Sequence, residues 1–337
     1  MESQKKICQS DRNNTDASRK DEDEECCSNT ASDYNEESET SSPNQGDFSD
    51  PVYKEIAVAN GTINRMTREE LRAKCAELKL DSRGVKDVLR KRLKSYYKKQ
   101  KLMHSAAGGN SDLYYDYICV VDFEATCEEN NPPDYNHEII EFPMVLIDTH
   151  TLEIVDTFQE YVKPEVSPQL SEFCTQLTGI TQEMVDEGNT FYTVLKRAAS
   201  WLKEKELGTK YKYTFLTDGS WDMGKFLYTQ CKLSRLRYPQ FARKWINIRK
   251  SYGNFYKVAR SQTKLICMLE NLGMQYEGRP HCGLDDSRNI ARIAIHMLKD
   301  GCQLRVNECL HLGEPKSVPV SASFEGALAP QKPKSRD

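Results

Sequence analysis

Apolar and polar positions along the chain fall into three regimes. Residues 1–60 are rich in Ser, Asn, Asp and Glu and show no apolar periodicity, which predicts a disordered acidic tail. Between 64 and 100, apolar residues recur at helical spacing: Leu71, Cys75 and Leu78, then Val85, Val88, Leu89, Leu93 and Tyr96. Thr67 stands three residues before Glu70, the spacing of a capping box, and Met66 and Leu71 are placed for a hydrophobic staple. Asp81, Ser82 and Gly84 interrupt the pattern, so the segment reads as two helices joined by a turn. Residues 101–112, which include "HSAAGGNSD", read as a linker.

From 113 to 310 the pattern changes to mixed α/β. Strands are predicted over 117–122, 141–148, 154–162 and 212–219. Helices are predicted over 191–205 and in "SWDMGKFLYTQCKL", "TKLICMLENLGM" and "DDSRNIARIAIHML". Three early strands on short connections should pair antiparallel, while later strands alternate with helices. Residues 313–337 are Pro/Ser-rich and read as a second disordered tail. The sequence contains no internal repeat.

Length and charge sharpen this division. The 337 residues allow about two domains, and a mean hydropathy of −0.71 is polar for a wholly folded chain. The net charge of −4 conceals an asymmetry. Residues 1–50 carry 14 acidic and 5 basic side chains, whereas 61–105 carry 14 basic and 5 acidic. A basic block behind an acidic tail points to a polyanionic partner; a solvated helix face is the competing reading. No signal peptide and no membrane-spanning apolar run is apparent, so a soluble, intracellular chain without a membrane partner is expected. The 12 cysteines are scattered without a C-x-x-C pair, which favours reduced thiols over disulfides or a zinc site.

The helix pair, with its "LKLDSRG" turn and "VLRKRL" helix, resembles a SAP domain, a small module that binds nucleic acid. The resemblance makes Lys86, Arg90, Arg92 and Lys99 the candidate RNA contacts. A helical hairpin docked on the following domain is the alternative.

The stretch "VVDFEAT" ends an apolar strand in two acids. Side chains alternate along a strand, so Asp122 and Glu124 share a face and Phe123 takes the other. Ionised carboxylates are costly there and repel each other. A divalent cation with hard oxygen ligands would compensate them, although a plain surface pair would look the same. "FLTDGSWDMGKFL" places Asp218 and Asp222 at a strand-to-helix junction, where one could equally be a helix cap. "HCGLDDSRNIARI" places His281 five residues before Asp286, with Asp285 beside it open to the same capping role.

In the order D-x-E, Asp, His-x4-Asp, and with "LTGIT" between, residues 113–310 resemble the DEDDh family of 3′→5′ exonucleases. The resemblance implies an RNase H-like fold, a mixed sheet flanked by helices, preceded by the small helical SAP domain. It implies that Asp122, Glu124, Asp222 and Asp286 bind two Mg²⁺ ions, with Mn²⁺ a substitute, and that His281 is the general base. Glu124 and His281 are then catalytic, and Glu124, Ala125, Phe173, Trp221 and His281 contact substrate. Family spacing selects Asp222 over Asp218 and Asp286 over Asp285, and Cys282 departs from the subclass that uses Tyr-x3-Asp. Each cycle would release a nucleoside 5′-monophosphate, an imidazole of ordinary pKa about 6.5 accepting the proton of water.

Together with the SAP-like module, the chain resembles the exoribonucleases that trim histone mRNA ends and degrade small interfering RNA. The expected substrates are histone mRNA stem-loops, small interfering RNA duplexes with a short overhang, and rRNA. The expected partners are a histone stem-loop-binding protein and ribosomes, in the cytoplasm and in the nucleus including the nucleolus. Phe123, Phe173 and Trp221 are the candidate stacking platforms for unpaired bases, though each such residue is more often core, and Trp221 is preferred because it adjoins Asp222. The competing functions are a DEDDh exodeoxyribonuclease and a catalytically inactive RNA-binding scaffold.

Overall fold

The computed structural model describes residues 51–103 and 113–311. Of the tail expected over 1–60, residues 1–50 lie outside the described residues, as do 104–112 of the linker expected over 101–112 and the tail expected over 313–337. Residues 51–128, and the described chain from 136 on, belong to one compact unit. The segment Glu129–Tyr135 carries a turn of its own, closed by the Tyr135 N–H donating to the Pro132 carbonyl at 3.0 Å.

The basic segment forms helices α1 (Pro51–Arg65), α2 (Arg68–Glu77) and α3 (Lys86–Met103). The capping box forms as its spacing predicts: Glu70 N–H donates to Thr67 Oγ1 at 3.2 Å, and Thr67 N–H to Glu70 Oε2 at 2.7 Å. Helix α1 corrects the expectation of disorder up to residue 60, and α3 runs three residues into the expected linker. Its apolar signal is thin: Ile56 and Ile63 are buried while Val58 is 72% exposed. Two helices of this length enclose very little core. Ile63 of α1 completes it with Leu71, Cys75, Leu89 and Leu93.

Helix α3 has a second buried side. Val88 belongs to the same cluster as Met268, Ile290 and Met297 of the following domain. Arg92, expected to contact RNA, is 3% exposed and instead joins the two domains. Its Nε and Nη2 donate to Asp300 Oδ1 and Oδ2 at 2.6 and 3.1 Å, and its Nη1 donates to the carbonyls of Asp81 and Arg83. Tyr256 Oη donates to the same Asp300 carboxylate at 2.8 Å. A fully desolvated guanidinium needs this many acceptors, which explains why Arg92 is unavailable to a ligand.

The larger domain is built on strands β1 (Tyr117–Val120), β2 (Glu124–Ala125), β3 (Ile139–Asp148), β4 (Glu153–Tyr161), β5 (Tyr213–Thr217), β6 (Lys244–Asn247) and β7 (Glu308–Cys309). β3 pairs antiparallel with β1 and β2 on one side and β4 on the other. β1, β5 and β6 are parallel, and β7 closes the far edge antiparallel to β6. The antiparallel opening matches the sequence expectation, and the later strands, expected to alternate with helices, pair parallel. β6 and β7 were not anticipated, being only four and two residues long. The helices of this domain are α4 (Glu172–Thr178), α5 (Gln182–Asp186), α6 (Phe191–Glu204), α7 (Tyr228–Leu233), α8 (Ile248–Tyr256), α9 (Leu265–Leu272) and α10 (Gly283–Lys299). The helix expected after Ser220 begins as a π-helical turn, Asp222–Leu227, before α7.

Alternation along β1 divides the interior into two cores. Cys119, Val121 and Phe123 face Val194, Leu195 and Leu202 of α6. Ile118 and Val120 face Ile290, Ile293 and Met297 of α10. β1 is apolar throughout because helices cover both faces of the sheet. Among the described residues the cysteines are free thiols, and no helix is long and apolar enough to cross a membrane.

Arg92→Ala should lose about 3–5 kcal/mol of stability, because Asp300 is left buried beside no equivalent cation. Denaturant titration checks this. Arg92→Lys should recover only part, since an ammonium cannot make the two-pronged contact. Wild-type stability with weakened RNA binding would return Arg92 to the role its sequence suggested.

Candidate active site

The parity of β1 decides where the acids point. Counting on from Ile118 and Val120, Asp122 and Glu124 fall on the α10 face, and Phe123 falls into the opposite core at 4% exposure. Phe123 packs 4.6 Å from Phe142, ring centre to ring centre, so it is no stacking platform. Its backbone has another use. The Phe123 N–H donates to Asp222 Oδ1 at 2.9 Å, which ties Asp222 to the backbone of the residue that separates the two strand acids. Asp218, the competing acid, is engaged by Arg249, whose Nε lies 3.1 Å from Oδ2.

Asp286 enters from the first turn of α10. Its Oδ1 accepts from Tyr276 Oη at 2.8 Å and its Oδ2 from the His281 N–H at 2.9 Å. His281 adopts φ +63°, an uncommon conformation for a residue with a β-carbon. Ligand atoms of Glu124, His281 and Asp286 lie within 4.8 Å of one another. Asp285 points elsewhere, accepting from the Arg279 N–H at 2.9 Å. The structure thus brings together Asp122, Glu124, Asp222, Asp286 and His281, while Asp218 and Asp285, whose charges still reach the cluster, are engaged by Arg249 and the Arg279 N–H.

Glu141 was not among the expected residues. It lies on the same face of β3, opposite Glu124 in the sheet register, and is 1% exposed. Its Oε2 accepts from Gly283 N–H at 2.9 Å and its Oε1 from Leu284 N–H at 3.1 Å, so it caps the N-terminus of α10. Gln159 Nε2 donates to the same carboxylate at 2.7 Å. Gly283 is required by proximity: a β-carbon there would stand 2.6 Å from the Asp122 carbonyl oxygen. An acid inside "IIEFPMVLID" was the signal, and Tyr276 offered none.

Charge in this cleft is poorly compensated by the protein. Asp122 and Glu124 keep a partly open face, yet the surrounding protein, and then the neighbouring acids, push both well above the usual carboxylate range. Burial pushes Asp222 up to about 7 and Asp286 up to about 6. Two unit charges about 5 Å apart repel by about 3 kcal/mol at an effective dielectric near 20. A few such pairs rival the whole stability of a domain, about 5–15 kcal/mol. Arg249, close enough to act on Asp122 and Asp222, is held by Asp218. Converging hard oxygens with one imidazole suit a divalent cation of the Mg²⁺ or Mn²⁺ type. Asp122, Glu124, Asp222 and Asp286 are the residues that could hold it.

Around the cleft, Phe173 on α4 and Trp221 are each 37% exposed. The Lys225 ammonium covers one face of the Trp221 ring at 3.8 Å from its centre. Ala125 is buried, and its carbonyl accepts from the Cys174 thiol at 3.8 Å. On α3, Lys86 and Lys99 are exposed, and Arg90 is half-buried against Asp87 at 2.5 Å.

A family described as Exonuclease matches residues 119–294, and the SAP domain family matches 62–98. The chain is 69% identical over 287 residues to "3′-5′ exoribonuclease 1" of Homo sapiens, covering 85% of this chain and 82% of that one. It is similar to a solved structure described as "3′-end specific recognition of histone mRNA stem-loop by 3′-exonuclease", at 68% identity and TM-score 0.60, covering 86% of this chain and 100% of the other. It is also similar to the "nuclease domain of 3′hExo, a DEDDh family member, bound to rAMP", at 72% identity and TM-score 0.59, over 59% of this chain and 100% of that one.

Tyr276→Phe removes the donor to Asp286 while keeping the ring. Calorimetric titration with Mn²⁺ should show apparent affinity roughly 10–100-fold weaker, with the metal-free thermal midpoint little changed. Equal affinity in both proteins would mean that the hydroxyl does not orient Asp286.

Proposed function

This chain belongs to the exonuclease family and is a 3′-5′ exoribonuclease; from that premise we propose that it shortens the 3′ ends of stem-loop and short-duplex RNAs in a Mg²⁺-dependent reaction. The carrying observation is the convergence of Asp122, Glu124, Asp222, Asp286 and His281 at the carboxyl ends of parallel strands. Mg²⁺ ions held by the four carboxylates would supply the positive charge that a phosphodiester and its leaving oxygen require during hydrolysis.

The protein's own groups do the rest. His281 accepts the proton of the attacking water. Tyr276 and the His281 N–H hold Asp286 in one orientation, and the Phe123 N–H does the same for Asp222. The Ala125 backbone and Glu124 lie against the terminal nucleotide, which confines attack to the last linkage. Phe173 and Trp221, both partly exposed, offer stacking surfaces for unpaired bases. Water adds across the final P–O bond, giving a nucleoside 5′-monophosphate and a new 3′-hydroxyl.

Lys86 and Lys99, exposed on α3, are suited to a duplex backbone while a single-stranded 3′ tail enters the cleft. Similarity to a histone stem-loop complex supports histone mRNA as one substrate. On the same reading small interfering RNA and rRNA are further substrates, and a stem-loop-binding protein and ribosomes are partners. The sites of action are then the cytoplasm and the nucleus including the nucleolus, where these RNAs occur.

Labelled stem-loop RNAs with 3′-hydroxyl or 3′-phosphate ends, and a DNA counterpart, test the reaction in Mg²⁺. Stepwise laddering of the hydroxyl-ended RNA is expected, and Asp122→Ala should abolish it while retaining binding. No mononucleotide release in Mg²⁺ or Mn²⁺ would leave an RNA-binding scaffold. Separately, Lys86→Glu with Lys99→Glu should weaken stem-loop affinity and lower its salt slope by about one per lost contact. An unchanged slope would remove α3 from the RNA path.

A further inference from the structure

We propose that Arg279 is a positioning residue, a strap that ties the turn bearing His281 to the C-terminal end of α4 and so fixes the spacing of the two sides of the cleft. The assignment rests on the nuclease reading above. Neither Arg279 nor the glycine of "LTGIT" has a part in the chemistry described so far.

The backbone of Arg279 is fixed from the α10 side. Its N–H donates to Asp285 Oδ2 at 2.9 Å, and its carbonyl accepts from Cys282 N–H at 3.2 Å and lies 3.0 Å from Tyr276 Oη, whose single proton goes to Asp286. His281 follows two residues later at φ +63°, held to Asp286 through its own N–H. The side chain crosses to the other side. Its Nη2 donates to the carbonyls of Gln176 at 2.8 Å and Leu177 at 3.3 Å. These lie in the last turn of α4, where carbonyls have no intrahelical donor. The same helix carries Phe173, and its Cys174 thiol donates to the Ala125 carbonyl beside Glu124. One guanidinium therefore links the His281 turn to the element that meets the end of β2.

Gly179 accounts for the strap's path. It ends α4 at φ +77°, and a β-carbon there would stand 1.6 Å from Arg279 Nη1 and 2.5 Å from its Cζ. The glycine thus satisfies a backbone requirement and also leaves the room through which Arg279 passes. An exposed arginine with no such task would sample many rotamers, whereas here the two hydrogens of Nη2 hold two adjacent carbonyls.

The experiment uses the full chain, Mg²⁺ and a single-stranded RNA with a 3′-hydroxyl. Arg279→Ala should lower kcat roughly 10- to 100-fold, the scale of an ångström-sized misplacement. The thermal midpoint should stay within about 2 °C, as for an exposed side chain. Arg279→Lys should recover part of kcat, because an ammonium reaches the same carbonyls. Gly179→Ala should lower kcat in the wild type but add little to the loss in Arg279→Ala. Its backbone strain should lower the midpoint equally in both backgrounds. The strap is overturned if Arg279→Ala keeps kcat within twofold, if activity falls only with the folded fraction, or if the two losses multiply. A wild type that releases no mononucleotide defeats the nuclease reading instead; an active wild type with an unaltered Arg279→Ala variant defeats only the strap.

Discussion

Mutual repulsion of carboxylates in one cleft is the constraint to which the rest of the domain answers. Asp122, Glu124, Asp222 and Asp286 are each displaced toward the protonated form. Such a cluster holds its shape only if each acid is tethered by something other than its neighbours. The tethers are mostly backbone amides: Phe123 for Asp222 and His281 for Asp286. Glu141 takes the corresponding role for α10 as a whole, its buried side chain accepting from two helix N–H groups. An amide donor cannot rotate away and carries no competing charge. Asp222 and Asp286 are therefore oriented before any cation arrives, the condition for electrostatic preorganisation.

The N-terminal module adds a second kind of rigidity. Arg92 bridges α3 and the end of α10, and Val88 lies in the core shared with α10. Burial alone would raise the Asp300 carboxyl, but its contacts with His296 and Arg92 outweigh that and hold it below the usual range. Lys91 lies over the Phe255 ring at 4.3 Å from its centre. The helix that carries Asp286 at its start thus carries the module's anchor at its end. Lys86 and Lys99 are presented from a helix whose orientation toward the cleft is set by packing. A SAP-type module and a helical hairpin docked on its neighbour, two alternatives in the sequence, describe one object.

The chemistry was more legible in the sequence than its supports. Asp122 and Glu124 follow from strand parity, because a period of two is strict. Asp222 and Asp286 were separated from Asp218 and Asp285 by family spacing; the structure gives the physical ground, since both rejected acids are occupied by arginine groups. Arg92 could not be read correctly, as nothing in "VLRKRL" tells which basic residue turns inward. Only its partner Asp300, some two hundred positions away, settles that. α1 escaped because two buried isoleucines leave no recurring stripe. β6 escaped because a four-residue strand after a basic loop has no room to alternate.

The parity of β1 has a consequence for how this site can change over generations. Its apolar residues are interchangeable with others of similar size, so substitution there alters packing and leaves the acids where they are. Insertion or deletion of one residue between Ile118 and Asp122 would do the opposite. It would turn both acids into the α6 core and Phe123 into the cleft, while leaving the composition of the strand nearly intact. The reading frame of the active site is thus carried by the count of residues in one strand, and length there is far less negotiable than identity.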